Sequence, residues 1–342
     1  MILPIEPTLF LKQASLLPVV DVRSPGEFAQ GHIPGAFSIP LFDDAERAVV
    51  GTLYVQSGRE DAIRKGIEIA VPKTGGYLES LRKVSPPCKI LLHCWRGGLR
   101  SEKMAEVFSN AGYEVGLLTG GYKAYRRTIR EGLARPVKMM VLGGYTGSGK
   151  TALLHEIALK GEQVVDLEGL ACHKGSVFGA LGQPAQPTNE QFENNLYARW
   201  SELDFSRVVW MEDESRMIGR VTLPDPVVEH LSGGTLIRIE LDFRIRIRRL
   251  VGEYAGFDVQ LLSEAIKRIG ERLGGTRTRE AMEALENKRF DEVAAIVLSY
   301  YDKAYLFSMS RRKNKKIYDI PVSGENLKTD AARILEFALN CS

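Results

Sequence analysis

The chain has 342 residues, 44% hydrophobic and 26% charged, with a formal net charge of +3. That is the composition of a globular protein of about two ordinary domains, and it excludes collagenous, low-complexity and disordered chains. No apolar run reaches the roughly 18 residues that span a bilayer, the start lacks the basic and unbroken apolar stretches of a signal peptide, and so small a charge implies nucleic-acid binding only where it is clustered.

The reading is therefore cytoplasmic, with no membrane partner. The cysteines, Cys88, Cys94, Cys172 and Cys341, form no CxxC pair, so neither zinc nor a disulfide framework is expected. In chain order, "LPVVDV" and "CKILLHC" read as strands and "SEKMAEVFSNAGY" as a helix, the alternation of βαβ units with a mostly parallel sheet. "REGLARPVK" has no apolar period and ends at Arg135-Pro136, so the linker falls there and the domains are taken as 1–132 and 133–342. "VKMMVLGG" then opens a second α/β unit, continued by strand candidates "QVVDLEG", "RVVWMED" and "GTLIRIELD". The last third is helical, through "LLSEAIKRIGERLG", the stretch that ends in "YYDKAY", and "KTDAARILEFALN".

Within the first unit, "HCWRGGLRS" places Cys94 between a strand and a helix. Backbone N–H groups there would surround an anion, Gly97 and Gly98 let the loop turn inward, and Arg96, Arg100 and the helix N-terminus favour a thiolate. His-Cys, five residues, then Arg-Ser matches the loop of cysteine-dependent phosphatases. The preceding "DVRSPGEFAQGHIPGA" and the later "LLTGGYKAY" instead resemble rhodanese domains, in which a cysteine carries sulfur. The loop is one residue longer than in common rhodaneses, which suits a phosphate-like donor that delivers a chalcogen.

In the second unit, Gly144, Thr146, Gly147, Ser148, Gly149, Lys150 and Thr151 fall in a full G-x-x-x-x-G-K-[ST] pattern between a predicted strand and helix. Such a loop holds a diphosphate on its N–H groups, with Lys150 on the outer oxygens and the Thr151 hydroxyl toward Mg²⁺. "RVVWMEDES" ends in Glu212 and Asp213, where a carboxylate could hold a metal or its water. Glu168, His173 and Lys174 follow a strand and would line the diphosphate or base pocket. "LDFRIRIRRLVGEY" is read as a helix capped by Asp242, because Phe243, Ile247, Leu250 and Val251 share one face. It would turn Arg244 and Arg248 over bound phosphates or toward RNA. The densest positive cluster is Arg311, Arg312, Lys313, Lys315 and Lys316, a candidate contact with a nucleic-acid backbone.

Both loops, with "VGTLYVQSG" and the following Gly66, "DLEGLACHKGSVFG", "QFEN", "MEDESRMIG" and "YYDKAY", resemble one family, the bacterial tRNA 2-selenouridine synthases. The resemblance implies a rhodanese-like domain with a parallel sheet, followed by a P-loop NTPase-like α/β domain with a helical C-terminal extension. It implies replacement of sulfur by selenium on the wobble 2-thiouridine of tRNA, through geranylation from geranyl diphosphate and then displacement with selenophosphate. Carried onto this chain, Cys94 becomes the selenium-handling thiol, through a selenosulfide. Trp95, Arg96, Gly97, Gly98, Leu99 and Arg100 form the selenophosphate loop, residues 144–151 hold the diphosphate, and Gly66 joins the substrate pocket. The partner is the tRNA anticodon loop, and the scheme leaves room for an enzyme that supplies selenophosphate. Two rivals stay open at this point. One is a cysteine-dependent phosphatase fused to a nucleotide-dependent kinase; the other is a regulatory module that binds nucleotide and RNA without chemistry.

Overall fold

A computed structural model of the chain describes residues 1–86, 88–310 and 316–340. The chain divides into two compact units: Met1–Leu133 with Glu193–Ala198, and Ala134–Phe192 with Arg199–Ser342. Among the described residues, no helix is long and apolar enough to cross a membrane.

The first unit is built on β1 (Ile2–Ile5), β2 (Val19–Asp21), β3 (Phe37–Ser38), β4 (Lys89–His93) and β5 (Glu114–Leu118), in the order β1-β5-β4-β2-β3. Every pairing is parallel. A parallel sheet is covered on both faces, and strand alternation supplies two apolar faces here. Ile90 and Leu92 join a core with Met104 and Phe108, while Leu91 turns to another with Phe10, Tyr122 and Ile129. The helix Gly121–Leu133 runs into the segment expected to be linker, because Ile129 and Leu133 are both buried.

The second unit has β6 (Met139–Gly144), β7 (Gln163–Val165), β8 (Val209–Glu212), a short antiparallel ribbon of β9 (Met217–Ile218) and β10 (Val221–Thr222), then β11 (Thr235–Glu240) and β12 (Ile317–Pro321). Its five-stranded sheet is parallel, in the order β12-β11-β6-β8-β7. β6 is central, and its register sets Leu142 opposite Glu212. The C-terminal helices form a separate core around Leu262, Ile266, Leu285 and Val297. In both units the chemistry-bearing residues lie at strand carboxyl ends, where ligands of open α/β sheets bind.

One buried ion pair organises the end of the first sheet. Asp21 and Arg23 are both fully buried, and Arg23 grips the carboxylate through Nε at 3.0 Å and Nη2 at 2.7 Å. Nη2 also donates to the Gly31 carbonyl at 2.6 Å, and the guanidinium carbon lies 3.7 Å from the Tyr122 ring centroid. Burial alone would raise the Asp21 carboxyl, but its proximity to His93 and the hydrogen bonds and charge of Arg23 outweigh it and hold it below the ordinary value. Removing one partner strands a buried charge, which costs about 3–5 kcal/mol. Asp21→Asn is expected to lower the opening free energy of β2 and β4 amides by that amount in hydrogen-exchange mass spectrometry, with β6 and β8 unchanged. Unaltered protection in β2 and β4 would contradict this account of the pair.

Candidate functional site

β4 delivers Cys94 one residue beyond its end, buried at the start of the loop. Its Sγ lies 3.1 Å from Ser101 Oγ and 3.9 Å from the Gly98 carbonyl oxygen. Ser101 occupies the first turn of the helix Leu99–Asn110, and its hydroxyl donates to Gly98 at 2.9 Å. The loop is held from the side by "GGYKAY": the amides of Tyr122 and Lys123 donate to the carbonyls of Cys94 and Trp95 at 2.8 and 2.9 Å. Gly121 has φ +58°, and a Cβ there would collide with Gly97 and Cys94 backbone, so glycine is required at this contact.

Around the thiol, Arg96 is exposed and Leu99 opens the helix. Arg100 is committed to Glu27, with Nη1 at 2.8 Å from Oε2. Burial would raise Glu27, but the Arg100 hydrogen bond and charge hold its carboxyl below the ordinary value. Trp95 packs at 5.7 Å, centroid to centroid, against Tyr122, a buried core ring. His93 is fully buried, its Nε2 3.7 Å from the Asp21 carboxylate. Burial lowers its pKa against the pull of Asp21, and the ring packs between Phe10 and Tyr122 on the sheet face away from the thiol's core.

The phosphate loop runs from the end of β6 into the helix Lys150–Leu159. Lys150 Nζ donates to the Gly144 carbonyl at 3.2 Å, and the buried Ser148 hydroxyl has no partner. Thr151 Oγ1 donates to Glu168 Oε2 at 2.6 Å. Glu168 follows Asp166, which caps the helix Leu167–Ala171 by accepting from Gly169 N at 2.7 Å. Its own backbone N–H donates to Glu212 Oε1 at 2.6 Å. Thr151, Glu168 and Glu212 thus form one hydrogen-bonded column beside the loop.

Several expected residues take other roles. The helix Phe243–Tyr254 forms as expected, with Asp242 accepting from Arg244 N at 2.8 Å and with Arg244 and Arg248 exposed on it. The arginines that reach the loop are Arg246 and Arg249. Arg246 donates to the Thr146 carbonyl at 3.3 Å and, in a bidentate pair, to Asp302 of "YYDKAY" at 2.8 and 2.7 Å. Arg249 donates to the carbonyls of Ser148 at 2.8 Å and Gly324 at 3.0 Å. Gly66 is buried within the helix Arg59–Ala70 of the first unit, where a Cβ would press on Phe42.

Glu212 is fully buried, and burial together with the Asp166 charge pushes its carboxyl well above the ordinary value. Through Oε1 it holds the Glu168 backbone N–H, which fixes the start of the helix Leu167–Ala171 beside the loop. Asp213 is buried beyond the end of β8, its amide bonded to the Leu142 carbonyl at 2.9 Å. His173 is buried with Nδ1 unpartnered, and burial lowers its pKa. Lys174 turns to an ion pair with Glu253. Of the basic cluster, Lys316 is exposed, while Arg311, Arg312, Lys313 and Lys315 lie outside the described residues. Among the described residues, no group of three or more His, Cys, Asp or Glu side chains could hold a metal ion. Mg²⁺ at phosphate loops needs few protein donors, and Thr151 with the Glu168 carboxylate is such a set.

Ser101, Arg246, Arg249 and Glu214 were not singled out by sequence. Ser101 stands in the His-Cys-x5-Arg-Ser pattern itself, and Glu214 directly follows the acid pair of β8. Burial, the Glu168 charge and a hydrogen bond to Glu168 raise the Glu214 carboxyl from 4.5 to about 7, against the opposing charge of Lys150. A raised carboxyl binds its proton in the folded state, so its contribution to stability is complete below pH 4.5 and is lost as pH rises to about 7. Glu214→Gln is expected to gain on wild type by up to ~1.4 kcal/mol per pH unit across that window in denaturation of the full chain. A difference independent of pH would contradict the assignment.

Comparison with known proteins matches residues 137–323 to the tRNA 2-selenouridine synthase AAA domain and residues 9–128 to the rhodanese-like domain. A tRNA 2-selenouridine synthase of Nitrosomonas europaea is 33% identical over 86% of this chain and 90% of its own length. One of a Sulfurovum species is 35% identical over 88% and 91%.

Proposed function

This chain belongs to the tRNA 2-selenouridine synthase family, and from that premise we propose that it exchanges sulfur for selenium at C2 of the wobble 2-thiouridine in two steps, one at each loop. By this homology the chain is an enzyme of tRNA modification, with selenophosphate as its selenium substrate. The observation that carries the two-step reading is the presence in one chain of two strand-loop-helix anion sites, one with a thiol and one with a phosphate-loop lysine.

Thiocarbonyl sulfur is a poor leaving group. In the first step it attacks the allylic carbon of geranyl diphosphate; a C–S bond forms, the C–O bond breaks with its electrons going to diphosphate, and the base loses its N3 proton. The backbone of residues 144–151 and Lys150 stabilise the charge that builds on the leaving group. Thr151 and Glu168 would hold Mg²⁺, which supplies further charge against the diphosphate.

In the second step selenium attacks C2, the C–S bond breaks with its electrons on the geranylthiolate, and N3 regains a proton. A Cys94 selenosulfide formed directly from selenophosphate would release phosphorus two electrons richer, as phosphite. Attack of Cys94 on phosphorus is electron-neutral instead. An S–P bond forms, the P–Se bond breaks to release selenide for C2, and water later takes the phosphoryl group as phosphate. The five-residue span to Arg100 and the Ser101 hydroxyl beside Sγ support this route.

The test is nucleoside mass spectrometry of tRNA bearing 2-thiouridine after incubation with geranyl diphosphate and selenophosphate. Wild type is expected to yield 2-selenouridine and Cys94→Ala to accumulate the S-geranylated base. Lys150→Ala is expected to slow geranylation by about 10²–10³-fold. An unchanged base with folded wild-type protein and bound tRNA would overturn the two-step reading.

A further inference from the structure

The charged groups around the cysteine loop are engaged elsewhere or face solvent. Arg100 donates to Glu27, which Arg47 also approaches at 3.6 Å, and Arg96 and Lys123 are exposed. Side chains alternate along β4, so Cys94 shares the face of Ile90 and Leu92, whereas His93 shares that of Leu91, with Asp21 beside it and Arg23 over Tyr122. Among the described residues, the hydrogen-bonding neighbours of Cys94 Sγ are the Ser101 hydroxyl at 3.1 Å and the Gly98 carbonyl oxygen at 3.9 Å.

We propose that Ser101 is a catalytic residue of the selenium step: when the Cys94 thiol ionises, the Ser101 hydroxyl turns its proton from the Gly98 carbonyl to Sγ and stabilises the thiolate. The inference rests on the reading of Cys94 as the nucleophile and adds the group that sustains its charge.

A hydroxyl carries one proton and serves one acceptor at a time. In the structure that proton goes to Gly98 at 2.9 Å, so Ser101 presents a lone pair to the sulfur and the thiol is the donor between them. Release from Gly98 costs little. Its carbonyl also accepts from the amides of Ser101 at 3.0 Å and Glu102 at 3.1 Å, which fill both lone pairs. Ser101 is fully buried in the first turn of the helix Leu99–Asn110, and its oxygen already stands within reach of Sγ, so only the hydrogen has to turn. Cys94 is buried as well, and a thiolate shielded from water depends on whatever donor the protein supplies.

Sulfur bears this charge twice in the route above. The thiol first releases its proton to solvent, and the sulfur electron pair forms the S–P bond as the P–Se bond breaks. Later the S–P bond breaks with its electrons returning to sulfur, as water takes the phosphoryl group. One hydroxyl serves both moments.

Alkylation of the full chain by iodoacetamide reads the thiolate, with peptide mass spectrometry to count Cys94 apart from Cys88, Cys172 and Cys341. Ser101→Ala is expected to slow Cys94 alkylation near neutral pH by about tenfold or more, with the midpoint of its pH profile moved upward and the plateau at high pH unchanged. Ser101→Thr, which keeps a hydroxyl, is expected to hold the wild-type midpoint. On tRNA already S-geranylated at 2-thiouridine, with selenophosphate, Ser101→Ala is expected to form 2-selenouridine slowly at neutral pH and to recover as pH rises. An unmoved midpoint in Ser101→Ala, or one that moves equally in Ser101→Thr, would overturn the proposal. Selenium transfer by Cys94→Ala would instead defeat the nucleophile reading, and the catalytic role with it, even where the midpoint moves.

Discussion

The shape of the phosphate loop depends on two guanidinium groups that grip its carbonyls. Arg246 takes Thr146 and Arg249 takes Ser148, from successive turns of one helix. Gly149, at φ +84°, lies directly against the Arg249 guanidinium, so any side chain at this position would displace the arginine. Arg246 is buried, and a buried cation requires a partner. Asp302 supplies it from the helix Phe290–Met309, which explains why the helical extension cannot be detached from the site it braces.

The first unit answers a comparable constraint with different parts. Its cysteine loop is held by backbone contact with Gly121 and by the amides of Tyr122 and Lys123, and its cations are balanced close at hand. Arg100 lies on Glu27, and Glu27 also closes a capping box with Ser24 at the start of the helix Pro25–Gln30. Arg23 is locked to Asp21 over the face of Tyr122. Tyr122 in turn accepts a hydrogen bond from Asn194 at 2.7 Å, which gives "QFEN" a structural role in holding this cluster.

Both loops were legible in the sequence because each is a contiguous strand-loop-helix whose glycines and charged residues announce it locally. Side-chain direction was harder to read. The apolar stripe of Phe243, Ile247, Leu250 and Val251 located the helix, and charge singled out Arg244 and Arg248 but passed over Arg246. Arg246 faces inward because Asp302, far along the chain, neutralises it, and no local pattern carries that pairing. Gly66 stood out by its place after a family-like stretch, and the fold adds a local reason for glycine there, since a Cβ would press on Phe42. Glu214 escaped notice because its raised carboxyl is a product of the fold: Glu168 and Lys150 come beside it only when β6, β7 and β8 pair.

In the proposed scheme the two loops divide the labour, with alkylation at the phosphate loop and selenium delivery at Cys94. The most direct measurement bypasses the first step by giving tRNA already S-geranylated at 2-thiouridine, with selenophosphate, to Lys150→Ala and Cys94→Ala proteins. If the division holds, Lys150→Ala forms 2-selenouridine at close to the wild-type rate and Cys94→Ala forms none. Conversion by Cys94→Ala, or failure of Lys150→Ala on this substrate despite bound tRNA, would contradict it.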